Sequence, residues 1–275
     1  MTVERLQPAA AVVLAGRRPG PDPLAEAAGA AHRALLDIEG EPMVLRVVRR
    51  LLARPGLDRV VVNIDRPDLL EALPGWSELA GDGRARILTS TPSPSQSVLE
   101  SLDAADLDAG PVLVTTADHA LLDDAMLDAF FARAGGTDAD LQLALVPSAS
   151  IRARFPEAKR TYLRFRDEAY SGANLFLFRT PIARHAARFW QRVEHERKHP
   201  WRLARAFGLT NLLLFATRRL DLEQAMVRAS QVVGARVDAI ALDIAEAAVD
   251  VDKIEDLELV RAILGARQTA ASPST

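Results

Sequence analysis

Short apolar runs rich in β-branched residues recur along this chain, separated by helical patterns, and that alternation limits the fold more than any other feature. The runs fall at 11–15, 59–64, 112–116, 141–146, 174–178 and 247–251. Each has the length of a strand, and several are nearly continuous in apolar residues, the pattern of strands buried on both faces. Between several of them lie segments at 41–53, 95–106, 123–134 and 253–264 whose apolar residues recur at three and four, as in amphipathic helices. The first reads "EPMVLRVVRRLL", with Pro42 where a first helical turn tolerates it. This order predicts an α/β fold with a mostly parallel sheet covered by helices. Residues 181–231 break the alternation with a long helical stretch interrupted near Pro200, Gly208 and Asp221, read as a helical insertion. The closing "ARQTAASPST" is small and polar. One domain is therefore expected over 1–266, with a flexible tail at 267–275.

Composition narrows the partners. With 275 residues, 49% of them hydrophobic, the chain can bury a substantial core, while a net charge of −3 provides no overall field to recruit nucleic acid or an anionic membrane. An acidic ligand has to be held locally. Cysteine is absent, which excludes disulfides and thiolate metal sites and fits a reducing compartment. The apolar run at 9–16 lacks a basic start and leads into Arg17 and Arg18, unlike a secretion signal. No run approaches the ~20 apolar residues of a membrane helix. The expectation is a cytoplasmic protein with no nucleic-acid partner and no stable membrane insertion.

In parallel sheets ligands gather at the carboxyl ends of the strands, so the residues just after each run carry the most information. After "VVLAGRRPG" begins, Leu14, Ala15 and Gly16 lead to Arg17 and Arg18. Glycine lets the backbone approach a ligand, and exposed amides with arginines hold phosphate oxygens; a solvated turn is the alternative. The loop is neither a Walker A motif nor a Rossmann fingerprint. In "VLVTTADHALL", Asp118 stands at a strand end, where a carboxylate can hold Mg2+ together with phosphate and water, or cap the next helix. In "AAVDVDKIEDL", Asp250 and Asp252 alternate with valines and so face one side of a strand. Two such carboxylates repel unless a cation or water lies between them. Glu255 and Asp256 fit first-turn acids of a helix.

"VVLAGRRPG", "HRALLDIEGEPMVLRVVRRLL", "TTADHALL", "SGANLFLF" and "VDVDKIEDL" together resemble, in order and approximate spacing, the MobA-like nucleotidyltransferases, over about residues 9–180 and 235–264. These include molybdenum-cofactor nucleotidyltransferases and sugar- or polyol-phosphate cytidylyltransferases. The resemblance implies a Rossmann-like sheet of the GT-A-like type and an enzyme that uses Mg2+. That enzyme would transfer NMP from an NTP, CTP or GTP, to a small phosphorylated acceptor, releasing pyrophosphate. It further implies that Leu14, Ala15, Gly16, Arg17, Arg18, Arg33, Ser97 and Asp118 contact the nucleotide, with Arg17, Arg33 and Asp118 catalytic. Gly172 and Asn174 would line the acceptor pocket, and Asp118 and Asp252, or less well Asp250, would hold the metal. The chain departs from the pattern at two places, with Arg17 where the family has a second glycine and Arg33 where it has a lysine. Those departures favour a non-catalytic nucleotide sensor as one alternative. A nucleotide-sugar glycosyltransferase is another, but it usually carries Asp-x-Asp where this chain has Asp-His-Ala.

Other features carry duller readings. His32, His119, His185, His195 and His199 lack metal-site spacing. Arg184, Arg188 and Arg192, four apart, form a stripe that reads as a solvated helix face. The cluster "ERKHPWRLARAF" at 196–207 combines cations with Trp201 and Phe207 and reads first as ordinary packing; acceptor binding, an oligomer contact and contact with a lipid-phosphate acceptor stay open. The insertion at 181–231 is expected to cover the acceptor side of the pocket or to form a homodimer contact.

Overall fold

The apolar run before the first glycine forms β1 (Ala10–Leu14), in which Ala11, Val12 and Val13 are wholly inaccessible. A strand of that kind needs cover on both faces and takes a central position. The computed structural model describes residues 6–17, 20–194 and 206–271. In it β1 pairs in parallel with β4 (Arg59–Ile64) and β6 (Val112–Thr116). The sheet order is β10 (Val237–Ala241), β7 (Leu141–Pro147), β9 (Ala169–Phe178), β6, β1, β4, β5 (Ala85–Thr89), with β8 (Leu163–Arg164) attached to β9. All pairs in this sheet are parallel except those made by β9, which runs antiparallel between β7 and β6. A small antiparallel pair, β2 (Asp37–Ile38) and β3 (Glu41–Pro42), stands apart.

Helices cover both faces, as the continuous apolar strands require. One face carries α2 (Met43–Leu52), α4 (Pro74–Ala80), α6 (Asp124–Ala134) and α11 (Ile254–Ala271), the other α5 (Pro94–Ala104) and α8 (Arg184–Val193). α2 shows the local logic: Met43, Val44, Val47, Val48 and Leu51 are buried, each contributing roughly 1.5–3 kcal/mol, while Arg49 reaches out to Glu41 at 2.9 Å. α1 (Pro23–Ala27), α3 (Pro67–Glu71) and α7 (Ser148–Arg154) fill connections.

Three expectations need correction. The run at 247–251 forms no strand: a 3-10 turn at Ala245–Ala248 leads into extended backbone without a ladder partner, and β10 holds the sheet edge instead. Val249 and Val251 are buried all the same, so the apolar pattern marked burial and not pairing. Within the segment expected as a tail, 267–275, the described residues are helical: α11 runs to Ala271, and Arg267 pairs with Asp123 at 3.1 Å and with Glu246. Residues 272–275 lie outside the described residues. Arg184 is not part of a solvated face: it is buried and forks onto Asp108 at 2.8 and 3.1 Å and Asp103 at 3.0 Å, whereas Arg188 and Arg192 are exposed.

The segment expected as an insertion, 181–231, carries α8, α9 (Leu209–Ala216) and most of α10 (Leu222–Val233), with breaks at Gly208 and at Asp221, which caps α10. Pro200, His195, His199 and most of the 196–207 cluster lie outside the described residues. Phe207 meets Phe189 edge to face at 5.0 Å, and Phe215 meets Phe165 likewise at 5.5 Å. Both ends of the insertion meet at buried Asp140. Its carbonyl accepts from Arg179 N–H at 2.8 Å, and its carboxylate accepts from Thr180 Oγ1 and Arg236 N–H, each at 2.8 Å.

Candidate active site

The carboxyl ends of β1, β4, β5 and β6 meet at one edge of the sheet, where backbone bonds tie the departing loops together. Ala15 N–H donates to Asn63 O at 2.8 Å, Ala117 N–H to Leu14 O at 2.9 Å, and Ser90 N–H to Ile64 O at 2.9 Å. A Cβ on Gly16 would lie 2.6 Å from Ser90 Oγ and would push it off its bond to Asn63. Gly20, with φ +123, closes the loop by accepting a 3.1 Å bond from Arg17 Nη1.

This edge opens into a cavity of about 510 Å3 whose wall includes Leu14, Ala15, Gly16, Arg17, Arg33, Asp118 and Asp252. Arg33 begins a 3-10 turn (Arg33–Leu35) after buried His32. Its guanidinium forks onto Asp22 at 3.0 and 3.3 Å and reaches Asp252 at 3.0 Å with Nη1, 219 residues away in sequence. Burial alone would lower the Arg33 pKa, but the bond to Asp22 together with the charges of Asp22, Asp252 and Asp118 outweighs it and raises the pKa. Asp22 moves the opposite way: burial would raise it, and Arg33 with the amide of Ala25 keeps it below the usual range.

Asp118 sits two residues after β6 and accepts a short bond from Thr116 Oγ1. Burial is the main reason its pKa is pushed up to about 6, with repulsion from Asp250 and Asp252 adding to it and Thr116 and Arg33 opposing. The backbone brings the later acids to it, since Val251 N–H donates to Asp118 O at 3.1 Å. Asp250 and Asp252 are not equivalent. Asp250 is held by Arg160 at 2.8 Å, and burial followed by repulsion from Asp252 raises its pKa. Asp252 is exposed and faces the cavity. Asp256 does more than face a helix terminus: buried, it accepts from the amides of Asp252 and Lys253 at 3.3 and 3.2 Å and pairs with Arg160 at 3.0 Å.

The remaining expected residues lie around this wall. Ser97 is buried on α5 and does not reach the cavity; its Oγ accepts from Thr91 N–H at 2.8 Å and so shapes the loop after β5. Gly172 and Asn174 lie on β9 at the same sheet edge, Asn174 at φ 47 where the β7–β9 register slips. They flank the site without lining the cavity. Arg18 lies outside the described residues. His119 is buried and neutral, burial lowering its pKa to about 4, and its Nε2 has no partner.

Sequence reasoning missed Asp22, His32, Asn63, Asp65 and Ser90. Asn63 is buried with its Oδ1 accepting from Ser90 Oγ at 2.6 Å and its amide nitrogen unpartnered. Asp65 carried a usable signal, since it follows the apolar run of β4 directly, the position already informative after β1 and β6.

The oxygen donors at this wall suit a hard divalent cation. A buried carboxylate held at about 6 by desolvation and two neighbouring acids gains from a cation that neutralises it. Among the described residues no group of three or more candidate ligands could hold an ion alone. Asp118 and Asp252 could supply the one or two protein carboxylates by which Mg2+ is commonly bound, its other positions being water or phosphate.

The profile of the MobA-like NTP transferase domain matches residues 11–236. A hypothetical transferase from Thermus thermophilus is 31% identical over 91% of this chain and all of its own, with a TM-score of 0.73. CMP:2-keto-3-deoxy-manno-octonic acid synthetase complexed with CTP superposes at a TM-score of 0.54 with 16% identity, covering 94% of this chain and 99% of its own. The 4-diphosphocytidyl-2C-methyl-D-erythritol synthase of Anaerococcus prevotii does so at 0.55 with 11% identity, covering 93% and 95%. These two likenesses are of fold. A search of curated proteins returns no match. Among the described residues no helix is long and apolar enough to cross a membrane. With its mostly parallel sheet, its convergent loops and the profile match over most of its length, the chain belongs to the MobA-like NTP transferase family and is a nucleotidyltransferase.

Proposed function

We propose that this enzyme transfers NMP from CTP or GTP to a small phosphorylated acceptor with release of pyrophosphate, in the cytoplasm. One observation carries the reading: Gly16 and Arg17, Arg33, Asp118 and Asp252, far apart in sequence, share one cavity wall. Arg17 and Arg33 bind the β- and γ-phosphates through fork geometry suited to phosphate oxygens. An acceptor phosphate oxygen, already ionised, attacks the α-phosphorus; the new P–O bond forms as the α–β bridging bond breaks, and the electron pair leaves on pyrophosphate. No strong general base is needed, so positioning and charge neutralisation dominate. Arg33 exchanges its Asp252 contact for the leaving group's oxygens, keeping Asp22 as its anchor. Asp118 and Asp252 would hold Mg2+, which would supply Lewis-acid polarisation of the α-phosphate. Asp250 is the weaker candidate because Arg160 already holds it. Gly172 and Asn174 admit the acceptor, and Ser97 acts through the loop it shapes.

CTP is the first nucleotide to try, since two structural neighbours are described by CTP or a cytidyl product. The test is pyrophosphate release from each NTP with Mg2+ and a panel of sugar and polyol phosphates, for the native enzyme and Asp118→Asn. Turnover lost in the variant supports the reading. Tight NTP binding with no turnover for any acceptor would favour a sensor.

A further inference from the structure

We propose that Asp65 is a positioning residue that holds the phosphate-binding side chain of Arg17 in place at the wall it shares with Arg33, an inference resting on the reading of Arg17 above. Three segments meet at its carboxylate. Oδ1 accepts the backbone N–H of Arg17 at 3.1 Å and the Nε2–H of His32 at 2.9 Å, and Oδ2 faces Arg17 Nε at 3.4 Å. The tautomer of His32 is set from its other side, because Nδ1 accepts from Ala34 N–H at 3.1 Å and leaves the proton on Nε2. His32 is 1% exposed, so water cannot replace Asp65 as its acceptor. Ala34 belongs to the turn that opens with Arg33. A single carboxylate at the end of β4 therefore joins the loop after β1 to the turn carrying Arg33.

Asp65 does not line the cavity, so it acts only through what it holds. Its own pKa lies below the usual range, burial being outweighed by His32 and the Arg17 amide, and the carboxylate is ionised when it holds them. Without it, Arg17 keeps the bond to Gly20 O but loses both of its contacts with the end of β4.

The test uses Asp65→Asn. Asparagine keeps an oxygen for the Arg17 amide and His32 but sets an NH2 against Arg17 Nε, removing the hold on that side chain alone. Dissociation constants for CTP and GTP with Mg2+, and for inorganic pyrophosphate, are measured by calorimetry together with Tm. The proteins are the native enzyme, Arg17→Ala, Asp65→Asn and the double variant. We expect Arg17→Ala to weaken binding of the preferred nucleotide and of pyrophosphate roughly tenfold and Asp65→Asn roughly three- to tenfold. Tm of Asp65→Asn should stay within about 2 °C of native. The double variant should bind no more weakly than Arg17→Ala. If Arg17→Ala weakens binding while Asp65→Asn does not, or the two losses multiply, the positioning role is overturned and the reading of Arg17 stands. If Arg17→Ala changes none of the three ligands, that reading itself fails. Should Asp65→Asn melt early, Asp65→Glu decides on the same terms, since it keeps the charge but displaces it by one methylene.

Discussion

Replacing Asp118 by asparagine should make the metal-free protein more stable at neutral pH, with the gain fading at acid pH. The native carboxyl titrates near 6, against 3.8 for the ordinary group, mainly because it is buried. At about 1.4 kcal/mol per pH unit, the ionised form costs the folded state up to about 3 kcal/mol above pH 6, an upper bound because Asp118 keeps some solvent contact. Below 3.8 both states are protonated and the cost vanishes, so native stability falls as pH rises through this window. The asparagine side chain cannot ionise, yet Thr116 can still donate to its oxygen. The difference between variant and native should therefore grow from under about 1 kcal/mol at pH 4 to as much as about 3 kcal/mol at pH 8, a Tm gain of at least roughly 3 °C. His119 pulls the other way in the same range: neutral and buried, with its pKa lowered from 6.5 to about 4, it costs stability as pH falls below the higher value. Its contribution is common to both proteins and drops out of the difference. Scanning calorimetry or urea titration in EDTA at pH 4, 6 and 8 measures the effect. An equal offset at all three values, or a variant weaker at pH 8, would refute the account of Asp118 as a carboxylate under strain from burial and like charge.

Gly16→Ala should lower nucleotide affinity, because its Cβ meets Ser90 Oγ at 2.6 Å, and adding Ser90→Ala should restore part of the loss, read by calorimetric titration. Arg33→Ala should weaken NTP binding with little change in Tm. Arg33→Lys should fall between alanine and native, since it keeps the charge but cannot fork onto Asp22 while reaching toward Asp252. Unchanged affinity in Arg33→Ala would remove Arg33 from the site.

The centre of the sheet could be read from sequence because β1, β4 and β6 are buried on both faces, which leaves them no room for polar residues except at their ends. The edges could not. β10 reads "VDAIA" and is only half buried, so it lacks a continuous apolar signal, whereas 247–251 has the signal and serves a crossing segment. The same limit applies to the site. Residues just past central strands were visible, as Gly16 and Asp118 show, but what holds them came from elsewhere in the chain. Arg184 looked solvated by spacing alone because its partners, Asp103 and Asp108, lie on and just after α5, 81 and 76 residues away. Asp65 and His32, 33 apart, form a pair that no local pattern encodes.

The clasp at Asp140 makes the helical insertion, in topological terms, a loop. It leaves and rejoins the sheet at one residue, at the end opposite the cavity, where β7 and β10 begin and β9 finishes. Lengthening a closed loop costs only a logarithmic entropy, about 0.6 kcal/mol for each doubling. That loop is anchored a second time, because α8 covers one face of the sheet and Glu194 at its end accepts from Ser93 Oγ and Ser95 Oγ at the start of α5, each at 2.6 Å.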